Sequence, residues 1–538
     1  MNIDWTRCAT VPHPHQKTGV EWLLTPFDIA RGRIIPNVYL LGDAVGVGKS
    51  KQVVDTSQFL FTDYKTIDTM VLVTPAFARG VWADPDPALG EVAKHAHLPV
   101  GNTIVEYSVR NDRLVAPPSD QLLWIVTNYE FIRRPERLLP LMQFLKGRRY
   151  WLVPDESWAL SDHTTAQWQA VAALRHTGWV PESRGRKDPT WKAIRQTGIE
   201  SARITLLNGT PVADTPLDLF AQARLLHSTI LGFKYFSHFR ARYAVMRPNS
   251  SFPMITGWQN LEELFSKVSP YILRREVQQC EILEPVLIEA RLSETTWRIY
   301  KQMRDEMVAW LNTDEASVAK QAMTKGMRLA QITSGFLGGV EEIPNLLSDS
   351  MDELLPPEQT GPVRVLSCEK LDALMGFLSQ QRPLPNRLVV WSRFRPEIER
   401  TALALAGDGE RQTYKLYGAR SKGDRDESKA AIRALNPDIP VDGPIAVVAH
   451  AAAGGAALNF SGASLDITLS YDFSLRIYTQ KRGRINRGRR RPIQYVDVVA
   501  TGPQGQRTVD HHVLAALRGK EDIASWGASM WKQKLLSE

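Results

Sequence analysis

The chain has 538 residues, which is too long for one hydrophobic core and predicts two or more domains. Its 43% apolar and 23% charged residues are typical of a folded globular protein and exclude extended disorder. The formal net charge of +8 favours polyanionic partners, whereas Cys8, Cys280 and Cys368 are too far apart for a disulfide framework or a metal-ligand pattern.

The N-terminal residues lack the apolar core of a signal peptide, and the chain contains no run of about 18 apolar residues. We therefore expect a soluble, intracellular protein of the cytoplasm that has no membrane partner. The cysteine usage agrees with a reducing compartment.

Short apolar runs alternate with helical patterns in residues 1–221, the first predicted domain. The runs that predict buried strands are "VYLL", "TMVLVTP", "LLWIVTNYE", "YWLVPDE" and "ITLLNGTP". Alternation of strands and helices predicts a parallel α/β sheet, and such sheets bind ligands at the carboxyl ends of their strands.

The stretch "LLGDAVGVGKS", residues 40–50, joins the first of these strands to a helical pattern. Gly46 and Gly48 allow backbone N–H groups to face phosphate oxygens, Lys49 can contact the β- and γ-phosphates, and Ser50 can hold Mg²⁺. Asp43 stands where the usual spacing has its first glycine. The stretch predicts an ATP and Mg²⁺ site, and the alternative is a flexible loop that carries a lysine.

An acidic pair, Asp155 and Glu156, directly follows the strand "YWLVP". In a nucleotide-hydrolysing site, Asp155 can hold Mg²⁺ and Glu156 can orient and deprotonate the attacking water. An isolated pair of this kind is usually part of a solvated loop. The upstream phosphate loop makes the catalytic interpretation the better one.

Residues 222–353 have long helical patterns and predict a helical insertion, and the Pro/Gly-rich residues 354–364 predict a linker. Residues 365–538 again contain strand-like runs: "RLVVWS", "YKLYG", "IAVVAH", "LDITLSYD" and "IQYVDVVA". The sequence therefore predicts an α/β fold with two RecA-like parallel-sheet lobes and a helical insertion between them.

A basic cluster lies near the end of the second lobe, where seven of the eleven residues from Lys481 to Arg491 are Lys or Arg. No acidic residue offsets them within this run, so we expect their charge to be available to a partner. Arg484 and Arg487, three residues apart, share a helical face and suit a γ-phosphate. Arg489, Arg490 and Arg491 suit backbone phosphates of a nucleic acid, with a solvated face as the alternative.

The order of these and other segments resembles the Swi/Snf-type ATPases of helicase superfamily 2. "HPHQKTGVEWLL" resembles the family's opening segment, "DAVGVGKS" motif I, "VLVTPAFARGVW" motif Ia and "DESWALSD" motif II. "LLNGTPVADTPLDLF" is similar to motif III, "SPYILRREV" to the Leu-Arg-Arg segment, "RLVVWSRF" to motif IV, "AAAGGAALNF" to motif V and "QKRGRINRG" to motif VI.

The resemblance implies two lobes that face each other across ATP, with DNA lying over both. It assigns Gln16, Gly455 and Gln480 to ATP, and it assigns Thr74, Pro75 and Thr210 to the nucleic acid. Binding through phosphates implies largely sequence-independent and salt-sensitive contact with DNA, and RNA as the track stays possible.

Several positions depart from the family pattern. Ser157 and Trp158 stand after the acidic pair, where the family commonly has Ala or Gly and then His, so the contact made by that histidine is in doubt. Ala44 replaces a glutamate, and Ala451 and Ala457 replace a polar residue and a glycine of motif V.

The resemblance and the residues predict a DNA-dependent ATPase that acts as a translocase on duplex DNA. The close alternative is a helicase that separates DNA or RNA strands. Two further classes stay open, namely a nucleotide-binding scaffold without turnover and a small-molecule kinase, although a kinase leaves the second α/β domain unexplained.

Overall fold

The computed structural model describes residues 3–97, 100–175, 191, 194, 199–209, 215–246, 255–275, 281–311, 319–338, 363–383, 385–407, 409–416, 422–437, 439–451, 460–486 and 492–519. The chain divides into two compact units, unit 1 (Met1–Val277) and unit 2 (Gln278–Glu538). In the ranges just given, no helix is both long and apolar enough to cross a bilayer.

Unit 1 alternates strands and helices along the chain. Its strands are β1 (Val38–Leu41), β2 (Thr69–Thr74), β3 (Gly101–Glu106), β4 (Gln121–Asn128), β5 (Tyr150–Pro154), β6 (Arg203–Leu207), β7 (Ala244–Met246), β8 (Ile255–Trp258) and β9 (Ile272–Leu273). Its helices are α1 (Pro14–Leu24), α2 (Lys49–Thr62), α3 (Arg79–Ala83), α4 (Glu91–His95), α5 (Tyr129–Ile132), α6 (Pro135–Leu145), α7 (Ala166–Arg175), α8 (Asp218–Leu226), α9 (Phe236–Tyr243) and α10 (Leu261–Val268).

Seven of these strands form one parallel sheet in the order β3-β4-β2-β5-β6-β1-β9. Alternate residues of β1 enter different cores: Val38 and Leu40 pack on one face of the sheet, and Tyr39 and Leu41 pack on the other. A strand buried on both faces must be apolar throughout, which is why "VYLL" shows no polar alternation.

Unit 2 repeats the alternation. Its strands are β10 (Val286–Arg291), β11 (Phe336–Leu337), β12 (Arg364–Val365), β13 (Arg387–Ser392), β14 (Gln412–Leu416), β15 (Ile445–His450), β16 (Leu465–Thr468) and β17 (Gln494–Thr501). Its helices are α11 (Glu294–Leu311), α12 (Ala319–Thr333), α13 (Glu369–Ser379), α14 (Arg395–Gly407), α15 (Lys422–Leu435), α16 (Leu475–Ile485) and α17 (Val509–Arg518).

Six strands of unit 2 form a second parallel sheet in the order β10-β17-β16-β13-β15-β14. Leu388 and Val390 of β13 share a core with Ala446 and Val448 of β15. The predicted α/β class is confirmed in both units, and each of the ten sequence runs named above overlaps a strand of one of the two sheets.

The structure divides residues 222–353 between the two units, whereas the sequence predicts one helical insertion there. β9 forms an edge of the first sheet, and β10 forms an edge of the second. The sequence conceals both strands for physical reasons. β9 has only two residues. β10 alternates between side chains that pack against the core (Val286, Ile288 and Ala290) and exposed ones, because only one of its faces is covered.

Candidate nucleotide site

The loop between β1 and α2 has the backbone geometry of a phosphate cradle. Gly46 and Gly48 both have φ of +90°, in the left-handed region that favours glycine, and α2 begins at Lys49 directly after Gly48. Nζ of Lys49 donates to the carbonyl oxygens of Asp43 at 2.7 Å and Ala44 at 3.3 Å. The lysine is therefore folded back over its own loop, where the start of a helix favours an anion.

Gly48→Ala is expected to raise the Kd for ATP about tenfold or more, because left-handed backbone strain of about 1–3 kcal/mol falls on the loop itself. A Cβ at Gly48 would also lie 2.2 Å from Nε2 of Gln16. Isothermal titration calorimetry with ATP measures the Kd of each variant. Gly80→Ala is the matched control, since Gly80 lies in α3 with no heavy atom within 4 Å of its added Cβ. Equal affinities of both variants would contradict the assigned loop geometry.

Asp43 is fully buried, and Arg275 holds its carboxylate. Arg275 donates from Nε to Oδ1 at 2.9 Å and from Nη2 to Oδ2 at 2.5 Å, and Nε2 of Gln52 donates to Oδ2 at 3.1 Å. The backbone N–H of Ala44 also donates to the carbonyl of Arg275 at 2.9 Å. Asp43 thus fixes the loop where the usual pattern has a glycine, and it does so through a residue that follows β9.

Gln16 lies at the start of α1 and contacts the same loop. Its Nε2 donates to the carbonyl of Val47 at 3.3 Å, and its Oε1 accepts from the N–H of His13 at 2.9 Å. Nε2 of His15 is 3.0 Å from the same Val47 carbonyl oxygen, and Nη1 of Arg275 donates to the carbonyl of His15. The predicted role of Gln16 at adenine stays a prediction, while its position beside the loop is established by these contacts.

Asp155 follows β5 and is buried, with 8% of its surface exposed. Its Oδ2 accepts from the indole Nε1 of Trp82 at 2.8 Å, and its Oδ1 accepts from the N–H of Glu156 at 2.9 Å. Burial, with the neighbouring Glu156 charge, raises the pKa of Asp155 to about 6, although the Trp82 hydrogen bond and the charge of Lys49 oppose that rise. A buried carboxylate of this kind is suited to bind a cation.

Glu156 adopts a left-handed backbone conformation, φ 51° and ψ 52°, so the chain turns sharply after Asp155. Its Oε2 accepts from the indole Nε1 of Trp158 at 3.0 Å. The next residue, Ser157, is fully buried and donates to Oε1 of Gln222 in α8 at 3.2 Å. Nδ2 of Asn208, beyond β6, donates to the same oxygen at 3.2 Å, so one glutamine joins the two strand ends.

The sheet order brings the predicted groups together. β2, β5, β6 and β1 are consecutive neighbours and parallel, so their carboxyl ends share one edge of the sheet. The phosphate loop, the acidic pair and Gly209 follow three of these strands. A Cβ at Gly209 would lie 3.0 Å from Val45 and 3.7 Å from Nζ of Lys49, which places the end of β6 against the loop.

Oxygen donors that suit Mg²⁺ occur at this edge. Ser50 lies in the first turn of α2, and Asp155 offers a buried carboxylate close enough to be influenced by Lys49. Hydroxyl and carboxylate oxygens are hard ligands, so these two residues fit the predicted ion.

Thr74 ends β2, and its side chain is fully buried. Among the residues that the structure describes, its hydroxyl has no hydrogen-bond partner, and Pro75 beside it is buried as well. Their predicted contact with nucleic acid stays a prediction, and the present burial leaves no exposed surface for it at Thr74. Thr210 lies outside the described residues.

The predicted site residues of unit 2 belong to α16 and its surroundings. Arg484 is 3% exposed on α16, its carbonyl accepts from the N–H of Phe460 at 3.1 Å, and Gln480 lies one turn earlier on the same helix. The helix ends at Ile485. Arg487, Gly455, Arg489, Arg490 and Arg491 lie outside the described residues.

The start of the basic cluster is neutralised within unit 2, contrary to the expectation that its charge is available. Nζ of Lys481 donates to Oγ1 of Thr468 at 2.6 Å, and burial lowers the pKa of Lys481 to about 8 despite the opposing charge of Asp466. Nη2 of Arg482 lies 3.2 Å from Oδ2 of Asp497. Each acid lies 15 residues from its partner, on one of two neighbouring strands, so the run from Lys481 to Arg491 by itself could not reveal them.

A second cluster in unit 1 has metal-ligand chemistry but is assigned a structural role. Ligand atoms of Cys8, Asp55 and His97 lie within 4.8 Å of one another. Nζ of Lys51 is 2.8 Å from Oδ2 of Asp55, and Nε2 of His97 is 3.2 Å from Oδ1. The ammonium already supplies the positive charge that the buried Asp55 carboxylate requires, and Lys51 also donates to the carbonyl of Thr10 at 2.8 Å.

Sequence reasoning assigned no role to Arg275, His15, Trp82 or Gln222. Arg275 lies in the "SPYILRREV" segment, and Trp82 lies in the motif Ia segment, so the family resemblance was the available signal for these two. His15 lies in the opening segment "HPHQKTGVEWLL" and had the same signal, whereas Gln222 carries none, because only the folded chain brings it to Ser157.

The fold and this loop together define a parallel-sheet α/β protein with a candidate phosphate site. No protein-family model matches the chain. The chain is similar to the SWI2/SNF2 ATPase core of Sulfolobus solfataricus in complex with dsDNA, at 16% identity and a TM-score of 0.40, over 100% of this chain and 97% of that chain. It is also similar to the SWI2/SNF2 ATPase core domain of that organism, at 17% identity and a TM-score of 0.38, over 99% and 94%.

Proposed function

We propose that this chain is an ATP-hydrolysing motor of the Swi/Snf type in helicase superfamily 2, which moves along duplex DNA. One observation carries the ATPase assignment: the glycine loop with Lys49 and the acidic pair Asp155 and Glu156 follow strands at the same edge of one sheet. The order of motifs in the sequence supports the assignment to Swi/Snf-type motors and the choice of duplex DNA as the track.

Each residue of the site has one task in this proposal. The loop N–H groups and Lys49 bind the phosphates, and Ser50 and Asp155 hold Mg²⁺. Glu156 orients and deprotonates the attacking water. Mg²⁺, when bound, neutralises charge on the β- and γ-phosphate oxygens.

Within unit 2, the spacing of the basic run assigns Arg484 and Arg487 to the γ-phosphate and Arg489 to Arg491 to the DNA backbone, and the family resemblance assigns Gln480 and Gly455 to ATP. Guanidinium groups suit this work because they stay charged and offer several donors to phosphate. Cycles of ATP binding and hydrolysis then change the grip on DNA and produce movement.

The test is the steady-state ATPase rate with no nucleic acid, duplex DNA, single-stranded DNA or RNA. We expect duplex DNA to stimulate turnover most strongly. Because the contacts are to phosphates, raising monovalent salt from about 50 to about 200 mM should weaken DNA affinity by about 10³-fold. Stimulation by RNA alone would mean that the track is RNA and not DNA. Equal rates under all conditions would favour the alternative of a small-molecule kinase. Absence of any turnover would favour the scaffold.

A further inference from the structure

Two tryptophan side chains hold the two acids of the candidate site. Trp82 donates its indole N–H to Asp155, and Trp158 donates its indole N–H to Glu156. Trp158 stands where the motifs that this chain resembles have a histidine. The indole N–H of Trp158 is a donor that cannot lose its proton or accept a hydrogen bond, unlike an imidazole.

The turn that carries Glu156 and Trp158 is fixed at both ends. Asp155 precedes it, with its N–H donating to the carbonyl of Val73 at 2.7 Å and its own carbonyl accepting from the Tyr129 hydroxyl at 2.8 Å. Ser157 and Leu160 are fully buried on either side of the half-buried Trp158. The donor Trp158 and the acceptor Glu156 therefore belong to one anchored turn, residues 156–160.

We propose that Trp158 is a positioning residue that holds the Glu156 carboxylate in the orientation needed to activate water. The proposal rests on the ATPase function proposed above. A donor on Oε2 fixes the rotation of the carboxylate plane, which is otherwise broad for a glutamate side chain. Because the turn is anchored by Asp155 and Ser157, we expect the contact to persist through the catalytic cycle and not to open as a latch.

The kinetic test compares Trp158→Phe, which keeps an aromatic ring, though a smaller one, and removes the N–H, with Trp158→His, which restores a ring N–H donor. We expect kcat to fall about 10- to 100-fold in Trp158→Phe with the KM for ATP within about twofold, and to recover substantially in Trp158→His. Trp168→Phe is the matched control, because that buried indole donates to the carbonyl of Ala221 at 3.0 Å. We expect Trp168→Phe to keep the kcat of the unsubstituted chain.

Two kinetic results would overturn the proposal. Equal kcat values for Trp158→Phe and the Trp168→Phe control would show that the hydrogen bond does nothing for turnover. A kcat above that of the unsubstituted chain would show that Trp158 restrains Glu156, so that the contact is a latch.

A second measurement does not depend on turnover. In the chain labelled with ¹⁵N-tryptophan, the indole N–H resonance lost in Trp158→Phe identifies Trp158. We expect it to move upfield in Glu156→Ala, because its hydrogen-bond acceptor is removed. An unchanged resonance overturns the positioning role even if ATP is hydrolysed. A shifted resonance in a chain without turnover means that the proposed ATPase function has failed while the contact itself exists.

Discussion

Glu156→Gln is expected to lower the kcat for ATP by about 10²- to 10⁴-fold, the usual contribution of a general base, while the Kd for ATP changes little. Glutamine keeps the size of the side chain and an oxygen that can accept from Trp158, but it cannot take a proton from water. Nucleotide binding is expected to survive because the phosphate loop and Lys49 are unchanged.

Steady-state phosphate release measures kcat, and titration with ATP measures the Kd. Asp162→Asn is the matched control: it removes the same charge six residues later, from a side chain that is 56% exposed and whose Oδ1 accepts from the N–H of Thr164 at 2.8 Å. An asparagine oxygen preserves that contact. Full activity in Glu156→Gln would remove Glu156 from the chemistry, and equal loss in Asp162→Asn would point to a nonspecific charge effect.

Arg275→Met is expected to lower the free energy of unfolding of unit 1 by about 3–5 kcal/mol, because the Asp43 carboxylate stays buried without its main partner. Asp43 is fully buried, and the side chain of Arg275 is 18% exposed. The same change should weaken ATP binding, since it removes the guanidinium that holds Asp43 within the phosphate loop.

Urea unfolding followed by tryptophan fluorescence measures the loss of stability. Arg242→Met is the control, because it makes the same chemical change in a pair with Glu263 whose side chains are 50% and 33% exposed. That exposed pair should contribute little to stability, because solvent screens it. Equal destabilisation by the two substitutions would contradict the burial of the Asp43 pair. Arg275→Lys should be intermediate, since one ammonium cannot reproduce two parallel N–H donors.

Hydropathy alone located the strands of both sheets wherever they are buried on both faces. "VYLL" and "RLVVWS" are continuous apolar runs because helices cover each face of a parallel sheet. The same reasoning failed at three of the four sheet edges and succeeded at the fourth, β14. β3 is half-buried along its length, β9 has two residues and β10 alternates, so none of the three carries the signature of a central strand.

The sequence by itself determined the chemistry that lies within one short segment: the glycine loop with Lys49 and Ser50, and the acids Asp155 and Glu156 after a strand. The sequence reveals each of these groups because, within each segment, one turn of the backbone sets the spacing of its residues. Only the tertiary structure decided which partners they have. Arg275 reaches Asp43 across 232 residues, and Trp82 reaches Asp155 across 73.

The same limit explains why the basic cluster was misread in part. Lys481 and Arg482 look unopposed in sequence, yet Asp466 and Asp497 lie beside them on the strands against which α16 packs. Burial makes such pairing obligatory, because an isolated charge inside a protein is far more costly than one in water. Local sequence gives the charge of a residue. The fold decides whether that charge pairs with an opposite charge inside the protein or faces a ligand.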